Sequence, residues 1–205
     1  MPPNQHTKAI RHLKKVDPVL AAVIDRVGKC TLVPRLEGTH FDYVVRSIVY
    51  QQLSGKAAAT IHGRFLELLD GNKPAPAQVL RIAEPDLRRA GLSGQKARYI
   101  RSVAEQTHSG QLAIERLHEL SNEEIIAQLT QIKGVGVWTA QMFLIFRLGR
   151  PDVLPVADLG IQKGVQRAYG LRKLPKPERV EKIGKKWAPY RTIGSWYMWR
   201  LLDVT

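Results

Sequence analysis

QIKGVGVWTAQMFLIF occupies residues 131–146. Gly134 and Gly136 stand two apart, and an apolar run of helical character begins directly after them. A glycine turn ahead of a helix has two physical uses. It lets the chain reverse in little space, because glycine tolerates positive φ. It also lets an anion approach the backbone, because no Cβ intervenes and the first amides of a helix have no partner within it. The residues before the turn read as a helix as well. Ser121 and Glu124 form a capping-box pattern ahead of Ile125, Ile126 and Leu129. Helix, Gly-Val-Gly turn and helix together suit the holding of a phosphate without the reading of a base. On its own the turn is weak, since many paired helices use glycine only to reverse.

Outward from the turn, helix signals recur and strand signals do not. Asp17 offers an N-cap before Pro18, and Val19, Leu20, Val23, Ile24 and Val27 then share a face that Gly28 ends. Phe41, Val44, Val45, Ile48 and Val49 repeat that spacing. Ser54 caps a third helix carrying Ile61, Phe65, Leu68 and Leu69 up to Gly71. A short helix follows Pro85, and Ser93 caps the next, through His108. The helix opened by Val137 is expected to run to Leu148. Asp158 precedes another helix, and Pro177 and Pro189 each mark a first helical turn. The pattern predicts an all-α protein of about ten helices with short links. AGLSGQKARYI (residues 90–100) echoes IKGVGVWTAQM (residues 132–142) as a glycine-containing turn before a helix, for which ordinary helix punctuation is sufficient cause.

The 205 residues carry 32 Lys and Arg against 18 Asp and Glu, a formal charge of +14 that favours a polyanionic partner. The apolar share of 44% is enough for an ordinary core. Cys30 is the single cysteine, so an internal disulfide and a four-cysteine zinc or iron–sulfur site are excluded. No apolar run is long enough to span a bilayer, no strongly amphipathic basic helix suits a membrane surface, and the first residues lack an apolar leader core.

The residues after the turn add specificity. DVLPVADLGIQKG (residues 152–164) places Asp158 behind a proline-containing connection and ahead of a helix. With the hairpin, this resembles the helix-hairpin-helix base-excision DNA glycosylases. RSIVYQQLSGKAAATI (residues 46–61) resembles that family's second-helix segment, AGLSGQKARYIRSVA (residues 90–104) its next turn and helix, and WAPYRTIGSWYMWR (residues 187–200) the closing helix of its 3-methyladenine DNA glycosylase II group. The resemblance covers about residues 41–200 in family order. It implies two helical subdomains with the active-site cleft between them: residues 41–150 with the hairpin, and residues 1–40 with 151–205. A β-rich N-terminal domain found in longer members has no counterpart.

The resemblance also implies roles. Asp158 matches the catalytic aspartate, and a carboxylate suits an oxocarbenium-like sugar. Asp152, the nearest other carboxylate, lies off the matched position. Trp138 stands where strand-cleaving members carry a lysine that forms a Schiff base, so monofunctional hydrolysis is expected. Trp199 matches the pocket tryptophan, with Trp138, Met142 and Gln51 as further pocket candidates. A methylated purine is cationic, and aromatic faces attract it. Gln52 matches the wedge that fills the gap left by a flipped base. Gly134, Gly136, Trp138 and Lys133 are expected at the DNA phosphate. The carbonyls of Thr130, Ile132 and Val135 match those that hold sodium or potassium in relatives.

Neither an organic cofactor nor an iron–sulfur cluster is expected, and the partner is damaged duplex DNA bound by a monomer. The setting would be the cytoplasm and its nucleoid in a prokaryote, or the nucleus in a eukaryote. Two rivals remain at this stage: the same superfamily acting on oxidised or deaminated bases, and a non-catalytic helix-hairpin-helix DNA-binding protein.

Overall fold

The computed structural model describes residues 3–204, with side chains from residue 6 onward. Among these residues the chain is helical and has no strand, and no helix is long and apolar enough to cross a membrane. In chain order the α-helices are α1 (Pro3–Val16), α2 (Pro18–Val27), α3 (His40–Tyr50), α4 (Gly55–Leu66), α5 (Pro76–Arg81), α6 (Glu84–Arg89), α7 (Gly94–His108), α8 (Asn122–Leu129), α9 (Val137–Met142), α10 (Leu159–Ala168), α11 (Pro177–Gly184) and α12 (Arg191–Leu201). Packing divides them into two compact units, Leu36–Phe143 and Met1–Arg35 with Leu144–Thr205.

In the unit Leu36–Phe143, α3 packs on α4 and α7, α5 and α6 on α7, and α8 on α9. Val44, Val45, Ile48 and Val49 of α3 are buried, as are Ala97, Ile100, Val103 and Ala104 of α7. These are the apolar faces that the helical spacing selects. Caps set where the helices begin. Ser54, Ser93 and Ser121 each accept an amide three residues on, at 3.4, 3.2 and 3.2 Å. The Glu115 carboxylate adds a second cap from afar, accepting the His40 and Phe41 amides of α3 at 3.0 Å each.

The other unit is built around α12, which contacts α10, α2 and α1. Thr192 to Met198 are all buried, so α12 is enclosed on every side. α1 is a helix that the apolar pattern did not announce. Its buried positions include Ala9 and Leu13, interleaved with Lys8, Arg11, Lys14 and Lys15. Three boundaries differ from expectation. α4 stops at Leu66, and Leu68 lies exposed beyond it. α9 stops at Met142 and passes into a π-helical turn, Phe143–Arg147, where the Phe146 carbonyl accepts the Arg35 amide at 2.7 Å. α12 opens at Arg191 and not at Pro189, because the Asp152 carboxylate accepts the Arg191 amide at 3.2 Å.

Candidate active site and nucleic-acid interface

The two glycines of the turn do different work. Gly134 has φ +88°, and a Cβ there would lie 2.0 Å from a ring carbon of Tyr99, so this position serves packing. Gly136 stands at the N-cap of α9 in extended backbone, and a Cβ there would meet nothing within 4 Å. That position is open to approach from outside. Ile132 and Val135 are buried and anchor the turn, with the Val135 amide donating to the Ile132 carbonyl at 3.0 Å. Thr130 ends α8 and donates its hydroxyl to the Ile126 carbonyl at 2.8 Å. Lys133 is exposed, and Trp138 is 49% exposed and so is no part of the core. Met142, one helical turn on, is buried.

The glutamines at the end of α3 lie in the same unit as the hairpin. Gln51 donates its side-chain amide to the Gly134 carbonyl at 2.8 Å. Gln52 is exposed with φ +55°. A non-glycine residue held there costs about 1–2 kcal/mol, so its surroundings must impose the conformation. Next to it in the chain, the Val49 and Gln51 carbonyls each accept from the Nζ of Lys96 of α7 at 2.7 Å. Burial draws the pKa of this ammonium below its ordinary value.

In the other unit, Asp158 is the N-cap of α10 and is half-buried. Its Oδ1 accepts the Ile161 amide at 2.8 Å and the Trp199 indole N–H at 2.8 Å. The carboxylate is therefore held by its own helix and by α12. Trp199 is half-buried and lies nearly parallel to the Phe146 ring, centroids 5.7 Å apart. Trp196 and Tyr197 are buried, so Trp199 alone of the three aromatics keeps a partly open ring. Asp152 is engaged elsewhere: Arg191 grips it with Nε at 2.6 Å and a terminal nitrogen at 2.9 Å.

Gly160 makes the Asp158–Trp199 contact possible. A Cβ on it would come 2.8 Å from the indole and 3.0 Å from Asp158 Oδ1. Gly160→Ala should displace the carboxylate and the indole; with Asp158 in the role that the resemblance implies, base release would fall about ten- to a hundred-fold, since small misplacements of reacting groups cost that much. Single-turnover kinetics beside a thermal melt would check this. A rate equal to the parent's would show that the contact does not position Asp158. Neither Gly160, Lys96, Tyr99 nor Phe146 was legible as a site residue. Each owes its place to a partner distant in sequence.

Comparison with known proteins follows from this geometry. Residues 45–189 match the HhH-GPD superfamily of base excision DNA repair proteins. The chain is 37% identical to DNA-3-methyladenine glycosylase 1 of Schizosaccharomyces pombe over 97% of its own length and 90% of the relative's. It is 33% identical to that organism's alkylbase DNA glycosidase-like protein mag2, over 97% and 94%. Among solved structures it is similar to the Schizosaccharomyces pombe 3-methyladenine DNA glycosylase in complex with abasic DNA, with a TM-score of 0.82 and 36% identity over 94% of this chain and 95% of that one. It is also similar to a DNA-3-methyladenine glycosidase from Bacillus halodurans, with a TM-score of 0.84 and 40% identity over 93% and 87%.

Proposed function

The chain belongs to the HhH-GPD superfamily of base excision DNA repair proteins, and on that premise we propose that it is a monofunctional DNA glycosylase of the 3-methyladenine DNA glycosylase II group. Its substrates would be alkylated purines of the 3-methyladenine and 7-methylguanine type in duplex DNA. The observation that carries this reading is the Asp158 carboxylate, held by the Ile161 amide and the Trp199 indole in a chain whose relatives are named for 3-methyladenine.

The residues divide the work as follows. The amides at Gly134, Gly136 and Trp138 hold a DNA phosphate, and Lys133 with the basic surface adds salt-dependent affinity. The base is turned out of the stack, because its glycosidic bond is unreachable within the duplex, and Gln52 takes the vacated space. Trp199, partly open beside Asp158, offers an aromatic face to the cationic purine. The positive charge of that purine weakens its glycosidic bond, so no acid is required to protonate the leaving base. Asp158 stabilises the cationic sugar as the bond breaks and orients the water that attacks C1′.

A sodium or potassium ion suits the neutral carbonyl oxygens of Thr130, Ile132 and Val135. The Ile132 oxygen already accepts one amide and retains a second lone pair. Such an ion would supply positive charge beside the phosphate.

The hairpin has an indole at Trp138, which cannot form a Schiff base with the sugar. Incubation with a lesion duplex and borohydride is therefore expected to give no covalent protein–DNA adduct, and the strand should break only after alkali. A trapped adduct would show lyase chemistry and contradict the monofunctional reading.

A further inference from the structure

α7 touches both parts of the DNA-facing apparatus in its unit. Through Lys96 it holds the last turn of α3: the ammonium bonds the carbonyls of Val49 and Gln51, which lie where a helix runs out of internal donors. Through Tyr99, three residues on, it holds the hairpin, with the Tyr99 ring filling the place of a Gly134 side chain. Gln95 donates to the Tyr99 hydroxyl at 2.5 Å and steadies that ring. The Gln51 amide closes the circuit onto the Gly134 carbonyl. Gln52 follows Gln51 directly, in its left-handed conformation.

We propose that Lys96 is a positioning residue that locks Gln52 in register with the hairpin, so that phosphate anchor and wedge engage DNA as one rigid piece. Its contribution falls on the turning-out of a paired base. It does not fall on bond cleavage or on general affinity for DNA. The proposal rests on the reading of the chain as a glycosylase with Gln52 as its wedge. The chemistry of the side chain fits this task. A compact ammonium presents three donors and so serves two carbonyls at once. Methionine has a similar length and no donor, and would leave both carbonyls without that partner.

The test compares two duplexes, each with one 7-methylguanine. In one the lesion is paired with cytosine. In the other it faces abasic spacers, where turning it out needs little help. Single-turnover release by Lys96→Met should fall about ten-fold on the paired lesion, the size expected of a lost positioning contact. Release from the unpaired lesion and binding of undamaged duplex should stay close to the parent's. Lys96→Arg should recover part of the loss.

An equal fall on both duplexes, or no fall on either, overturns the proposal. Should Lys96→Met fail to fold, Lys96→Gln, whose shorter uncharged side chain cannot serve both carbonyls as the ammonium does, is read by the same comparison. A parent that releases base while Lys96→Met matches it defeats the brace alone. A parent inactive on both duplexes defeats the glycosylase reading, and the brace with it.

Discussion

Exchanging Asp158 for Asn is expected to slow single-turnover release of an alkylated purine about a thousand-fold, with little change in the thermal midpoint. The size follows from the charge. A carboxylate about 4 Å from a cationic sugar, at an effective dielectric constant of about 20, is worth about 4 kcal/mol. Each 1.36 kcal/mol is about a factor of ten in rate. Asparagine keeps an oxygen acceptor, so the Ile161 amide and Trp199 indole retain their partner and the start of α10 is preserved. The variant thus separates charge from architecture. Affinity for undamaged duplex should persist, because the exchange leaves the hairpin and the basic surface unchanged. A rate near the parent's would remove Asp158 from the chemistry. Asp152 is a poor substitute, since Arg191 and its amide already occupy both of its oxygens.

The largest effect on stability should come from Asp17→Asn. Asp17 is fully buried. Its Oδ1 accepts the Val19 and Leu20 amides at 3.1 and 3.2 Å. Its Oδ2 accepts the Trp187 indole at 2.7 Å, the Tyr169 hydroxyl and the Lys186 ammonium at 3.2 Å. Asparagine can still cap α2, but its NH2 would face the Trp187 indole and the Lys186 ammonium, which only donate, and would leave both without an acceptor. Loss of a buried, hydrogen-bonded charge costs about 3–5 kcal/mol. For a chain of this size that lowers the thermal midpoint by about 10 °C.

The same site sets an acid dependence. Burial raises the Asp17 pKa, but the Trp187, Tyr169, Leu20 and Lys186 hydrogen bonds together bring it below the ordinary carboxylate value. The unfolded chain therefore takes up this proton first as pH falls. The stabilisation is present above the ordinary carboxylate pKa near 3.8 and is lost as pH drops through the lower folded value. Acid melts of Asp17→Asn should lack this part of the slope. A variant as stable as the parent at neutral pH would contradict the account of this cluster.

Short-range chemistry was legible in the chain. Asp17, Ser54, Ser93 and Ser121 read as caps because each is a short polar residue at the start of a helical run, and each caps in the structure, as does Asp158 ahead of α10. Bonds that span the chain were not legible. Asp17 reads locally as a cap, yet its burial depends on Tyr169 and Trp187, 152 and 170 residues away. Lys96 reads as one more surface cation until the end of α3 is folded against it. Gly160 reads as helix punctuation, although its bare Cα is what admits the Trp199 indole. α1 was missed although its period is helical: Ala9 and Leu13 are buried, Lys8, Arg11, Lys14 and Lys15 lie off that face, and the helix is the strongly amphipathic basic one that was not expected, its apolar side covered by α2 and α12. In the turn that decided the fold, Gly134 packs against Tyr99 and Gly136 stays open.

The glycosylase activity is read out by incubating the protein with methylated duplex DNA and separating the free bases released. Free 3-methyladenine and 7-methylguanine are expected, with a strand that stays whole until alkali is added. DNA that is bound yet yields neither base would contradict the glycosylase reading.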